Sequence, residues 1–236
     1  DTKAVKQRID SQGGFFENTA YPRTECSEYE CLSDPPLLVH QMYEKVKEKK
    51  KFEIQDNKLI KYNGYDKNVI IPKGVTHIGE SVFSNKNLTE VTFPSSLTHI
   101  GVLAFSNNEL KEVTFPSSLT HIGEWAFMDN NLKKVTFPPE SNLTDIIDHA
   151  FNGNKLTKVT FPSSLVVIGP GAFMDNKLEE VTFTFYVDNS NLTHIDSTAF
   201  KNNKLKKVTF PPSLKGIGEK AFYGNELEKV TLSSSL

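Results

Sequence analysis

Cysteine is scarce in this 236-residue chain, which has only Cys26 and Cys31. Two cysteines cannot build a framework of several disulfides, and a Cys-x4-Cys pair with no His nearby is a poor zinc signature. Long apolar runs are also missing. None reaches the roughly 18 residues that a membrane-spanning helix requires. Neither sign of charge dominates: 27 basic against 29 acidic residues leave a formal net charge of −2, which removes the electrostatic case for nucleic acid. No glycine-rich phosphate loop occurs, and serines recur in Pro-Ser-Ser turns without any motif pairing them to His and Asp. The expectation is a non-enzymatic chain with no cofactor, no nucleic-acid partner and no membrane span.

What the chain has instead is a repeat. The stretch Leu110–Asn131, LKEVTFPSSLTHIGEWAFMDNN, recurs with its Leu, taken as position 1, at Leu88, Leu110, Leu132, Leu156, Leu178, Leu205 and Leu227. A degenerate first copy begins at Asp66 and counts here as coil 1. The intervals are 22, 22, 24, 22, 27 and 22 residues. A fixed period of this size signals a solenoid, whose coils cannot bury their apolar sides alone and do so by stacking.

Apolar residues fall at fixed places. Position 4 is Val in every copy, and position 6 is Phe in six (Phe93, Phe115, Phe137, Phe161, Phe183 and Phe210). Side chains two apart share one face of a strand, so Val and Phe turn inward while positions 3 and 5 face out. Leu at position 10 and Ile at position 13 supply a second inward wall. Ala-Phe at positions 17 and 18 reads as a short helical turn whose ring plugs the core, each such burial contributing roughly 1.5–3 kcal/mol. Pro at position 7 ends the strand, and Gly at position 14, replaced by Ile147 and Asp196 in two copies, permits a corner. Asn at position 21 (Asn108, Asn130, Asn154, Asn176, Asn203 and Asn225) is placed to satisfy backbone groups of a neighbouring coil. At about 4.8 Å per strand, seven coils make a rod of roughly 35 Å.

The pattern LxxVTFPxSLTxIGxxAFxxNx over Asp66–Leu236 resembles the BspA-like class of leucine-rich repeats. That resemblance implies an α/β repeat solenoid: a right-handed array of about seven 22-residue coils with short parallel strands and helical turns. It also implies a surface-exposed or secreted protein of a bacterium or protozoan, with adhesion to host matrix or plasma proteins such as fibronectin or fibrinogen. The class often runs at 23 residues with Cys near position 21, whereas this chain has 22 and Asn. In a secreted protein Cys26 and Cys31 close a small disulfide loop; the other reading is two buried thiols.

Residues 1–65 form an N-terminal segment and cap, and residues 66–236 the repeats. Thr2–Gln12 reads as a short helix stopped by Gly13-Gly14. Asp34-Pro35-Pro36 introduces a helix over about 37–50, whose lysine-rich tail is a solvated helix end. Phe52–Ile54 and Leu59–Tyr62, split by Gln55–Lys58, read as a hairpin. No signal peptide opens the chain at Asp1, and the last copy stops at position 10 without a polar cap; both fit a trimmed piece of a longer protein.

Surface rows carry the functional candidates. Position 3 reads Glu90, Glu112, Lys134, Lys158, Glu180, Lys207 and Lys229, a grouping that reflects either a partner's charge pattern or drift on a solvated face. His77, His99, His121 and His194 share position 12; aligned imidazoles about 5 Å apart invite a metal or pH-sensing reading. Duplication explains them better, since Asp145, Val167 and Gly216 stand there in other copies. Two insertions, Pro138–Asn142 in coil 4 and Thr184–Asn191 in coil 6, must bulge from the array. The second displays Phe185, Tyr186 and Val187 as partner anchors, or folds a ring back on the next coil. Sequons at Asn87, Asn142 and Asn191 arise where an Asn meets the repeat's Leu and are read as incidental.

Three functions are open: a protein-binding surface using the strand face (Glu112, Lys134, Lys158, Glu180 and Lys207) and the coil 6 insertion; a stiff spacer; and a small-molecule role for residues 1–52, which requires a deep polar pocket there. Peptide mapping without reductant is expected to recover Cys26 and Cys31 in one disulfide-linked species. Free thiols at both would leave the second reading.

Overall fold

The computed structural model describes residues 51–183 and 190–232. The expected helices at Thr2–Gln12 and about 37–50, the two cysteines and Phe185–Val187 lie outside the described residues.

Coils 1 to 7 each contribute two short strands, and among the described residues the last coil contributes one. The strands at positions 12 and 13, such as His99–Ile100 and His121–Ile122, join in one nine-stranded sheet that runs through the array coil by coil. Its first members are the predicted hairpin, β1 (Phe52–Gln55) and β2 (Lys58–Tyr62). These pair antiparallel around Asp56 and Asn57, which have φ of 47° and 61°. Two successive left-handed residues give the turn whose twist suits a hairpin, and Asp and Asn tolerate that region. Strand β2 then pairs parallel with the first coil, Leu59 opposite Ile78.

The strands at positions 3–5 behave differently. Asn68–Ile70 pairs with Glu90–Thr92, Glu112–Thr114 with Lys134–Thr136, Lys158–Phe161 with Glu180–Phe183, and Lys207–Thr209 with Lys229–Thr231. These are four separate two-stranded ladders, so pairing is interrupted at every second gap. The continuous sheet is thus built on the second inward wall and not on the Val-x-Phe strands.

The core is a column of rings. Phe83, Phe105, Phe127, Phe151, Phe173 and Phe200 are fully buried. Successive members stack with centroids 5.0–5.6 Å apart. Position 6 rings meet them edge to face, as Phe115 meets Phe127 at 5.5 Å, a favoured arrangement of ring quadrupoles. Tyr62 and Phe52 continue the column into the hairpin. In the last coil the inward positions Val230 and Leu232 are half exposed, since no further described coil lies over them.

The α/β expectation is corrected here. No complete helix occurs among the described residues, and the architecture is a β-solenoid of about eight coils. The segment around Ala-Phe fails to be helical for a backbone reason. Position 16 is left-handed in coils 1 to 7 (Ser81, Leu103, Trp125, His149, Gly171, Thr198 and Lys220), and so is position 20 (Asn85, Asn107, Asp129, Gly153, Asp175, Asn202 and Gly224). A residue at positive φ ends a right-handed helical run. The N–H groups at positions 16, 18 and 20 then bond across to the next coil, as Leu103 to Glu124 O, Phe105 to Ala126 O and Asn107 to Met128 O. Position 14 glycine serves close approach: a Cβ on Gly123 would lie 2.6 Å from the Gly101 carbonyl carbon.

Position 21 asparagine does what its placement implies. The Asn130 amide donates to the carbonyls of Phe105 and Phe127 at 2.9 and 3.2 Å, and its oxygen accepts from Leu110 N–H at 3.2 Å. Asn154 repeats this with Phe127, Phe151 and Leu132, as do Asn176, Asn203 and Asn225 in their coils. Asn154→Ala is expected to lower stability by about 2–4 kcal/mol, because a buried donor and acceptors lose their partners together. The thermal unfolding midpoint, compared with that of an exposed-site control such as Lys155→Ala, checks this.

Candidate functional site

Two surfaces present repeated side chains. On the first, the Val-x-Phe strands of coils 2 to 6 bury position 4 and most of position 6, Phe93 only partly, and leave position 3 and most of position 5 exposed. The residues singled out from sequence, Glu112, Lys134, Lys158, Glu180 and Lys207, all stand exposed on this one face. Glu112 and Lys134 are register partners on adjacent strands. Lys158 and Glu180 are partners too, and close an ion pair at 2.7 Å. That hydrogen bond, reinforced by charge, holds the Lys158 ammonium above its usual pKa and the Glu180 carboxyl below its own. Both groups are well solvated, so the pair orients side chains more than it stabilises the fold.

The interrupted pairing shapes this face. Between coils 2 and 3 the strands part to leave a groove of about 730 Å³ beside Glu90, Glu112, Thr92 and Lys111. Between coils 4 and 5 a second groove of about 400 Å³ lies beside Lys133, Lys134, Lys158 and Thr136. The first is lined by two carboxylates and the Lys111 ammonium, and the second by three ammonium groups and no carboxylate. Stacking of the position 6 rings records the opening: Phe93 and Phe115 are 5.8 Å apart, against 5.1 Å for Phe115 and Phe137 within one ladder. Sequence reading finds the charges but misses the grooves, because every Val-x-Phe strand carries the same pattern.

On the second surface the imidazoles of His77, His99 and His121 form a column, with centroids 4.3 and 4.5 Å apart and planes nearly parallel. Each Nδ1 meets the hydroxyl of the preceding threonine at 2.8 Å. The Thr98 and Thr120 hydroxyls donate to the Thr76 and Thr98 carbonyls. They must therefore accept from the rings, which fixes the Nδ1–H tautomer. Faces stacked in this way cannot converge their nitrogens on one ion. Among the described residues no group of three or more His, Cys, Asp or Glu side chains is arranged to hold a metal. Phe185, Tyr186 and Val187, and the cysteine pair, fall outside the described residues; the coil 6 core positions on either side of the insertion, Phe183 and Leu192, are buried. In coil 4 the insertion bulges as expected, with Pro139 and Glu140 exposed between buried Phe137 and Leu143.

Short parallel strands repeated every turn around a Leu-Val-Phe-Ile core define a leucine-rich repeat solenoid. Within that class, the chain belongs to the BspA-type leucine-rich repeat family, whose model, described as a region of six copies, matches residues 54–179 and 166–236. A leucine-rich cell surface protein from Faecalibacterium prausnitzii A2-165 is similar at 25% identity and a TM-score of 0.58, over 75% of this chain and 53% of that one. The pneumococcal vaccine antigen PcpA is similar at 26% and 0.53, over 72% and 51%. A leucine-rich repeat protein from Eubacterium ventriosum is similar at 26% and 0.59, over 79% and 52%. The chain thus spans about half the length of these solved structures. No curated protein matches it. Among the described residues no helix is long and apolar enough to cross a membrane.

The histidine column has a pH consequence. Burial first, then the charges of His77 and His121, lowers the His99 pKa below 6.5. Asp145 is the next residue in the column, beside His121. A base with a depressed folded pKa takes up fewer protons than the unfolded chain, so its contribution is present above about pH 6.5 and is lost as pH falls through the folded value. Unfolding midpoints measured across that window are expected to fall less steeply for His99→Gln than for the unsubstituted chain.

Proposed function

We propose that this chain is a non-enzymatic protein-binding module of a secreted or cell-surface protein, adhering to host or matrix proteins through its exposed strand face and the 184–191 insertion. The observation that carries the reading is the strand face itself. Its outward side chains take no part in the core, change charge in blocks from coil to coil, and border two grooves, one of mixed charge and one lined by lysines. In solenoids an extended surface of this kind is where partners bind. The similar structure from Faecalibacterium prausnitzii is a cell surface protein and PcpA is a vaccine antigen, both consistent with an exposed location.

A spacer that holds another domain away from a surface is the second reading. Uniform rows would suit it, and the coil 4 bulge with its exposed Pro139 and Glu140 argues against uniformity. Saturable binding to immobilised fibronectin, fibrinogen or host-cell protein is expected. Charge reversal by Lys134→Glu with Lys158→Glu, or removal of the insertion's rings by Phe185→Ser with Tyr186→Ser, should weaken it about tenfold or more, near 1.4 kcal/mol. Absence of binding in every form would favour the spacer.

A further inference from the structure

The strand face carries a charge order that reads the same in both directions once signs are exchanged. At position 3, Glu90, Glu112, Lys134 and Lys158 follow one another on coils 2 to 5, all exposed. Reversed, acid-acid-base-base becomes base-base-acid-acid. We propose that a second copy of this chain docks on this face, the two copies meeting about a two-fold axis that runs parallel to the strands between Glu112 and Lys134. Each Glu112 then opposes the other copy's Lys134, and each Glu90 opposes the other copy's Lys158. A two-fold contact must be self-complementary in this way, and complementary potentials select register and partner. The proposal rests on the reading of this face as an interaction surface, and names its occupant.

The backbone shares the symmetry of the charges. The axis passes through the middle of the ladder formed by Glu112–Thr114 and Lys134–Thr136, and the two interrupted gaps lie at equal distance on either side. The groove beside Glu90 and Glu112 therefore faces the other copy's groove beside Lys134 and Lys158. Thr114 meets Thr136 and Thr92 meets Thr160, which keeps the centre of the contact flat. Farther out, Glu180 faces the neutral Asn68 and stays paired with Lys158 at 2.7 Å, so the other copy's Glu90 shares an ammonium that Glu180 already holds on the face. Two symmetry-related like-charged pairs are created, each Lys111 against the other copy's Lys133. Both residues line the facing grooves and are exposed at the strand starts, where solvent and salt screen them in part.

Six coils at about 4.8 Å and strands of about 10 Å give a contact burying on the order of 600 Å² in total, the size of weak and transient associations. Sedimentation velocity over a wide concentration range is the suitable measurement. In low salt the unsubstituted chain is expected to shift toward dimer as concentration rises, and high salt to reverse the shift. Glu90→Lys with Glu112→Lys makes the row all basic, and Lys134→Glu with Lys158→Glu makes it all acidic; each variant alone should stay monomeric. Mixed together, they should form a heterodimer, and the four substitutions in one chain should restore self-association. Circular dichroism of each variant confirms the fold, which these exposed positions do not support. A monomeric unsubstituted chain, a dimer insensitive to the reversals, or a mixture that fails to associate would each overturn the proposal. Should the unsubstituted chain stay monomeric yet bind an immobilised matrix protein through these lysines, the self-docking proposal fails and the protein-binding reading stands.

Discussion

A solenoid turns its backbone through corners that lie against the core, and the polar groups at those corners must find partners away from water. Here one side chain per coil meets that constraint. The buried position 21 asparagine ties the position 18 carbonyl of its own coil to that of the coil before it, and accepts the N–H of the leucine that opens its coil. Everything else follows from that corner being closed: the leucine goes inward, the phenylalanine column stays in line at 5.0–5.6 Å, and both strand walls fall into register. Asparagine suits the task because a neutral amide supplies donors and an acceptor together without a buried charge.

The core was legible in the sequence almost residue by residue. Val, Phe, Leu, Ile and Ala-Phe at fixed positions had no other place to go, and interior coils bury them nearly completely. The path between them was less legible. Ala-Phe invites a helical turn, yet Leu103 and Trp125 sit at positive φ, where neither residue advertises itself. The better signal stood four residues on: position 20 holds only Asn, Asp or Gly, the residues most tolerant of a left-handed backbone. The Thr-His-Ile segment advertises a row of imidazoles, although among the described residues it builds the one sheet that continues through the array. Two-residue strands are too short to show a period.

The candidate site divides along the same line. Which side chains face outward could be read from alternation on a strand, and Glu112, Lys134, Lys158, Glu180 and Lys207 are exposed as alternation requires. How far apart their strands stand could not. That depends on the stacking of position 6 rings, which are closer within a ladder than across a gap, and identical Val-Thr-Phe triplets occur on both sides of each gap. Charge pattern and backbone spacing together give the face its character, and only the first is written in residue types.

Closure of each corner by a residue 20 to 30 positions downstream gives the array a polarity. The backbone around Phe105 is completed by Asn130 and by carbonyls of the next coil, so a coil has its full set of partners only when its successor is stacked on it. The two ends of any stack are therefore not equivalent: one end coil lacks the asparagine that would close its corner, and the other supplies an asparagine to no earlier coil.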